Sequence, residues 1–497
     1  MKKNVKILSL LMCILLLISI AACGEQTGTE DTVPGSAAVA EDATTKEEET
    51  TDPASVPDED LTAFNFNKTV SIFSMDEYSY EYIATEVNGE FINDAVYKRN
   101  SEVCEDLGVT FVYPTVSDNG GQHTNFTNVV STAYKSGDGE NYQILSNLSY
   151  YAPSMITSGY LYNYAAIPNS HINTDKNYWN SAYVENGTIN GKYYFTIGDM
   201  SIRLCQMLEV VYMNDRLADS YLKSEEKNMY QLVYDHEFTF EKFRQLISYA
   251  DNGAATGVYG AALPCNSYSI DGLQAGFGLD LIEKSSDGAI TINTNTEHNV
   301  EIVEAMRELY YNNTCVLNST DCVNAFSGEG ALFMVTRLIA ATTLQDAGTD
   351  YSIYPLPLWN SEQADYISTV HDAYQIIAII STVDDDTAEM ISAVLEDMNY
   401  RSTDTVHTAV YQLTYQTRYS DTAEEAEMFE FIYSHINIST GTIYSFPCGE
   451  LKNTPRYLIY PTTSTAFCNV SSGIASTLKT KEKIQQTQLK TFLKAFD

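Results

Sequence analysis

Two groups of tyrosines are the first places in this chain where side chains could do chemistry. Tyr78, Tyr80 and Tyr82 share the stretch Asp76–Tyr82, and Tyr150 and Tyr151 are adjacent. The chain holds 37 Tyr against 2 Trp and 19 Phe. A tyrosine joins an apolar ring to a hydroxyl that needs a partner. An excess of them fills interfaces between elements, and it also lines grooves for polar ligands with apolar faces, sugars above all. Covalent chemistry is less visible. No GxSxG elbow occurs, which disfavours a serine hydrolase. The 7 His are scattered and form no HExxH, which disfavours a zinc enzyme. With 66 Asp and Glu, spacing leaves room for two carboxylates flanking a sugar, the arrangement of a glycoside hydrolase.

The elements that must position these rings alternate between strand and helix. Lys68–Met75 (KTVSIFSM) reads as a first strand, and Val109–Tyr113 and Tyr142–Leu148 as the next two. Between them lie a helix with Phe91, Ala95, Val96 and Val103 apolar, closed by Gly108, and another over Phe126–Lys135. Such alternation predicts a parallel sheet with right-handed crossovers. Ligands of an open sheet sit at the carboxyl ends of its strands. Asp76–Tyr82 and Ser149–Tyr151 fall there, so Tyr150–Tyr151 is a stacking platform on this reading. Leu208–Met213, Tyr351–Trp359 and Ala373–Ile380 read as extended segments, the second because each proline disfavours helix in the residue before it. Glu297–Tyr311 reads as an amphipathic helix, and beyond Thr387 the pattern turns to long helices, including Thr387–Asn399 and Ala423–His435.

The first 23 residues form a leader: Lys2, Lys3 and Lys6, an apolar run from Ile7 to Ile20, then Ala21-Ala22-Cys23. That ending resembles a bacterial lipoprotein signal, which implies cleavage after residue 22, acyl chains on Cys23 and two or more lipid tails for stable attachment. From Gly24 to Asp60 the chain has twelve acidic residues, one lysine and no aromatics, the composition of a disordered stalk. The expected division is a signal peptide over 1–22, a lipidated acidic linker over 23–62 and a folded body over 63–497. The body exceeds the size that one core usually serves, so two lobes are expected. These are lobe 1 near 63–200 with returning segments, lobe 2 near 215–350, and C-terminal helices over 387–497. The net charge of −38 argues against nucleic acid and against broad contact with anionic lipid. Seven cysteines follow the anchor, none in a CxxC pair, and Cys315 with Cys322 could close a short loop.

Gly89–Asn100 (GEFINDAVYKRN) followed by a strand resembles the first helix of clostridial-type extracellular solute-binding lipoproteins. These belong to family 1 of the sugar-binding proteins of ABC importers. Further matches run in order: Trp179, Gly198-Asp199, Val210–Asn214, Tyr230–Val233, Phe238-Thr239, Phe326–Phe333 and Pro355–Pro357. Ser402, Ala409–Tyr411, Arg418-Tyr419 with Asp421, and Glu427-Met428 complete them. The chain departs from the family at His236-Glu237, at Leu358-Trp359 and at Tyr178-Trp179. The resemblance implies an α/β, two-lobed periplasmic-binding-protein-like (type II) fold with a hinge and a helical C-terminal part. It implies a monomer, lipid-anchored on the extracellular face of the cell membrane, that passes a sugar or oligosaccharide to importer permease subunits. No catalytic residue, metal or cofactor is expected. A cleft that desolvates a sugar needs rings for its faces and fixed partners for its hydroxyls. The stacking candidates are Tyr78, Tyr80, Tyr150, Tyr151 and Trp179, and the hydrogen-bonding candidates are Asp94, Asp199, Asn214 and Asp372.

Overall fold

The computed structural model describes residues 52–118, 123–264, 267–285, 289–311, 313–410, 423–460 and 473–497. The leader, Cys23 and the linker as far as Thr51 lie outside the described residues, as do Cys265, Tyr411, Arg418, Tyr419, Asp421 and Cys468.

In chain order come β1 (Lys68–Met75), α1 (Phe91–Leu107), β2 (Val109–Val112), β3 (Thr115–Val116), α2 (Thr124–Ser136) and β4 (Ile144–Leu148). The chain then crosses to β5 (Glu209–Asn214), β6 (Tyr259–Leu263), α3 (Ser267–Gly276), β7 (Ile282–Lys284) and β8 (Ile290–Ile292). After them come α4 (Glu297–Tyr311), β9 (Val316–Asn318), β10 (Ala331–Arg337) and β11 (Tyr351–Tyr354). It returns through β12 (Gln375–Ile379) and α5 (Asp385–Ser402), then ends in α6 (Ala423–Ser434), α7 (Asn453–Ile459) and α8 (Ile474–Phe492), with shorter helices between.

Two sheets organise the two lobes. The first has the order β12-β4-β1-β2, with β3 beside the end of β1. Here β1 runs parallel to β2, β3 and β4, as the alternation of strand and helix predicts, while β12 returns antiparallel against β4. Every residue of β4 and β12 is buried, the polar Ser146, Asn147 and Gln375 included, so neither strand alternates between a buried and an exposed face. The second sheet has the order β11-β5-β10-β6-β9. In it β6, β9 and β10 are parallel, and β5 is antiparallel to both its neighbours.

Local chemistry sets the ends of α1. Ile92, Ala95, Val96, Arg99, Val103 and Leu107 form its buried face, at helical spacing. That face packs on α5. The helix stops at Gly108, whose φ of +62° suits only glycine here, since a Cβ would stand 2.1 Å from Asn65 Oδ1.

The lobes are joined by two extended segments lying side by side. Leu208 bridges Val370 in antiparallel sense, the Glu209 amide donates to the Thr369 carbonyl (2.9 Å), and the His371 amide donates to Met207 (2.9 Å). The C-terminal helices are the third tie. α7 packs on α3 and α4, and α8 packs on α4 and β8, all in the second lobe. The turn after α8 reaches the first lobe, where Lys192 Nζ donates to the Asp497 carbonyl at 2.7 Å.

One expectation needs correction. Residues 52–60, assigned to a disordered linker, are ordered against the first lobe: Lys176 Nζ donates to the Pro53 carbonyl (2.9 Å) and Asn173 to Asp58 (2.6 Å). Lys176 also pairs with Asp58 at 2.5 Å, so a cation of the first lobe fixes the acidic end of the linker. Cys315 and Cys322 do not bond to each other. Cys315 Sγ donates to Asp251 (3.5 Å) and Cys322 Sγ to the Ser319 carbonyl (3.0 Å), because β9 separates them. Among the described residues no helix is long and apolar enough to cross a membrane.

Candidate functional site

The carboxyl ends of β1 and β4 meet the joining segments at the lobe junction. Beyond β1, the 3-10 turn Asp76–Glu81 carries Tyr78 and Tyr80. The Arg203 guanidinium lies 4.6 Å over the Tyr78 ring, in cation–π range. Tyr80 donates its hydroxyl to Gln206 (2.9 Å), and Arg203 Nε donates to the Ala373 carbonyl (2.6 Å). Burial, with Glu81 nearby, pushes the Tyr80 phenol up to about 12, so it stays a donor at any physiological pH.

Beyond β4, Ser149 is held twice by the returning segment: its amide donates to Tyr374 (3.0 Å) and its hydroxyl to the Asp372 carbonyl (2.9 Å). That fixes Tyr150 and Tyr151, which form a ring trio with Phe446 at centroid separations of 4.9, 5.2 and 5.0 Å. The opposite side of Tyr151 stacks on His123 at 4.7 Å. The two tyrosines expected as a platform thus pack together, with Phe446 as a third ring that the sequence did not announce.

Charge is concentrated beside it. Lys452 pairs with Asp372, lies 3.7 Å from Asp271 and stands 5.0 Å over the Tyr150 ring. Arg456, one helical turn on, donates from Nε to Asp271 at 2.7 Å. Because Asp271 belongs to α3 and Asp372 to the returning segment, Lys452, which reaches both, ties them together, and Arg456 holds Asp271 in place. Burial alone would raise the Asp372 carboxyl, but Lys452, His371 and Arg456 outweigh it and hold the group well below the ordinary carboxylate range. Burial pulls His371 down to about 4, against the pull of Asp372. Glu209 has both carboxylate oxygens buried and unpartnered, and burial raises it well above its usual range even with Arg337 opposing. It lines a cavity of about 30 Å³ with Asp271, His371, Asp372 and Lys452. The arrangement presents flat apolar faces next to paired carboxylates that keep free lone pairs, the combination that receives ring faces and vicinal hydroxyls.

Five of the sequence candidates, Tyr78, Tyr80, Tyr150, Tyr151 and Asp372, thus gather at the junction. The other four are placed elsewhere. Asp94 accepts from the Asn88 (2.8 Å) and Gly89 amides and fixes the loop before α1. Asn214 caps the helix Asp215–Tyr221 by accepting from Leu217 (3.1 Å). Trp179 is buried in the first lobe with Nε1 on Glu396 (2.8 Å), an acceptor it shares with Tyr178. Asp199 is buried too and accepts from Thr403 and Tyr433, both at 2.8 Å. Short polar side chains serve loops and caps as readily as ligands. Phe446, Lys452, Arg456, Asp271 and Glu209 were missed. The one available signal was Lys452 and Arg456, a cation pair at i,i+4 in a chain with 28 basic residues against 66 acidic. Among the described residues no group of three or more His, Cys, Asp or Glu is placed to hold a metal ion.

No family model matches the chain, and no curated protein matches it. Solved structures do. A cyclo/maltodextrin-binding protein complexed with maltotetraose superposes with a TM-score of 0.53 over 85% of this chain and 97% of its own, at 12% identity. An ABC transporter solute-binding protein from Thermotoga lettingae bound with alpha-D-tagatose gives 0.52 over 85% and 100%, at 11% identity. An ABC substrate-binding protein from Listeria monocytogenes in complex with cycloalternan gives 0.51 over 85% and 99%, also at 11% identity. The chain has the two-lobed solute-binding fold. The ring trio and the Lys452 cluster stand where the two lobes of this fold meet.

Proposed function

We propose that this chain is the extracellular, lipid-anchored substrate-binding component of an ABC importer, capturing a carbohydrate between its lobes and passing it unaltered to the permease. The observation that carries the reading is the convergence of Tyr150, Tyr151 and Phe446 with Asp372, Asp271 and Lys452 at the lobe junction. The names of the similar structures, which bind maltotetraose, tagatose and cycloalternan, support the solute class. The leader ending at Cys23 supports the anchor. Closure follows from differential contact: a ring desolvated by the platform of one lobe and bonded by groups of the other stabilises the closed form over the open one.

The test is thermal melting of the purified body with a panel of neutral mono- and oligosaccharides, followed by chromatography of the sugar. A ligand at 100 times its Kd adds about 2.7 kcal/mol of stability. The expected result is a raised Tm with one saccharide class and no new product. Hydrolysis of that saccharide would establish the glycoside hydrolase instead, and no shift with any small molecule would point to an adhesion or scaffold role. Loss of acyl incorporation and of membrane association in Cys23→Ala checks the anchor.

A further inference from the structure

We infer that the solute is an oligosaccharide that continues from the ring trio into a second subsite, the groove between α7 and α8. This rests on the carbohydrate reading above and extends it to ligand length. The groove has a volume of about 440 Å³ and is lined by Phe446, Asn453, Tyr457, Lys481, Gln485 and Gln488, among others. That volume falls within the range of small-molecule sites. The cavity beside Glu209, at about 30 Å³, is far smaller than one sugar ring.

The groove adjoins the platform. Phe446 lines it and packs on Tyr150 and Tyr151 at 5.2 and 5.0 Å. Asn453 lines it and donates to the Tyr150 hydroxyl at 3.3 Å. A chain of rings leaving the trio therefore meets this groove next.

Its chemistry selects neutral, hydroxyl-rich chains. Phe446 and Tyr457 supply aromatic faces, Asn453, Gln485 and Gln488 supply amides, and Glu450 and Lys481 cancel in charge. Gln488, exposed on α8, offers its amide to a chain lying in the groove, while Asn453 and Gln485 are held in its wall: Asn453 Nδ2 donates to Glu450 (2.8 Å) and Gln485 Nε2 to the Gly449 carbonyl (3.4 Å). An anion would face Glu450, and a purely apolar chain would leave the Gln488 amide unmet.

The experiment is titration calorimetry of the full body with ladders of two to six units, in α-1,4-glucose, β-1,4-glucose, β-1,4-xylose and α-1,2-mannose series. In the ladder that binds, affinity is expected to rise tenfold or more between two units and four or five. Tyr457→Ala should abolish that rise and leave the two-unit affinity within twofold. Gln488→Ala, an exposed position that leaves the fold intact, should reduce the rise severalfold at unchanged Tm. Equal affinity at all lengths, or variants that weaken short and long ligands alike, overturns the second subsite while leaving the carbohydrate reading standing. Binding of no saccharide by the unmodified protein overturns both.

Discussion

Lys452→Met tests the idea that the lobe junction is held by a buried charge cluster. The ammonium contacts Asp372 and lies 3.7 Å from Asp271, and its side chain is only 8% exposed. At an effective dielectric of 20, one such contact has a Coulomb energy of roughly 4 kcal/mol before desolvation is subtracted. Removing one partner of a buried pair costs about 3–5 kcal/mol, chiefly because it strands the other charge. Asp271 keeps Arg456, so only Asp372 is stranded and the lower end, about 3 kcal/mol, applies. The entropy of unfolding of a body this size is on the order of 0.9 kcal/mol per kelvin, which makes the Tm fall roughly 3 °C. The sign with pH follows from the depressed carboxyl. The contribution of Asp372 is present above its ordinary value of 3.8 and is lost as pH falls toward its lowered folded value. The deficit of Lys452→Met should therefore be full at pH 8 and shrink toward pH 4, where the stranded carboxylate takes a proton. Urea unfolding at both pH values measures it. Lys452→Met/Asp372→Asn should regain more than half of the loss. A single variant within about 1 kcal/mol of the parent, or a double variant no more stable than the single, refutes the reasoning.

Three further outcomes are expected. Burial raises Glu81 to about 7, with Arg203 opposing, so its contribution is intact below pH 4.5 and is lost as pH rises to 7. Glu81→Gln should accordingly raise Tm more at pH 8 than at pH 5, and equal gains at both would contradict it. Trp179→Phe removes the indole bond to Glu396 and should cost about 1.5–3 kcal/mol of stability while leaving saccharide affinity unchanged. A tenfold affinity loss at unchanged stability would place Trp179 in the ligand site. Gly260→Ala would put a Cβ 1.9 Å from the Ile247 carbonyl oxygen. It should cost more than about 3 kcal/mol, and a variant with the parental Tm would show that contact to be relaxed.

Much of the scaffold was legible because local patterns carry it. Lys68–Met75 and Glu297–Tyr311 are found with the bounds expected from β-rich and helical spacing, and Gly108 ends α1 where the apolar periodicity stops. The position of Tyr150 and Tyr151 just beyond the carboxyl end of β4 was legible from the strand pattern alone. What was not legible depends on contacts distant in sequence. Tyr178 and Trp179 meet Glu396 more than 200 positions later, and Lys452 meets Asp372 80 positions earlier. Glu209 opens an apolar strand and gave no sign that it would be buried beside four other ionisable groups. Asp94 and Asn214 were misassigned although Asn214, three residues before Leu217 at a strand-to-helix boundary, has the position of an N-cap.

The central claim is that a carbohydrate rests on the Tyr150–Tyr151–Phe446 surface between the lobes. Calorimetric titration of the parent and Tyr151→Ala with the same bound saccharide tests it most directly. The prediction is at least a tenfold rise in Kd with Tm held within 2 °C, about what loss of one stacking ring gives. An unchanged Kd in Tyr151→Ala would contradict it.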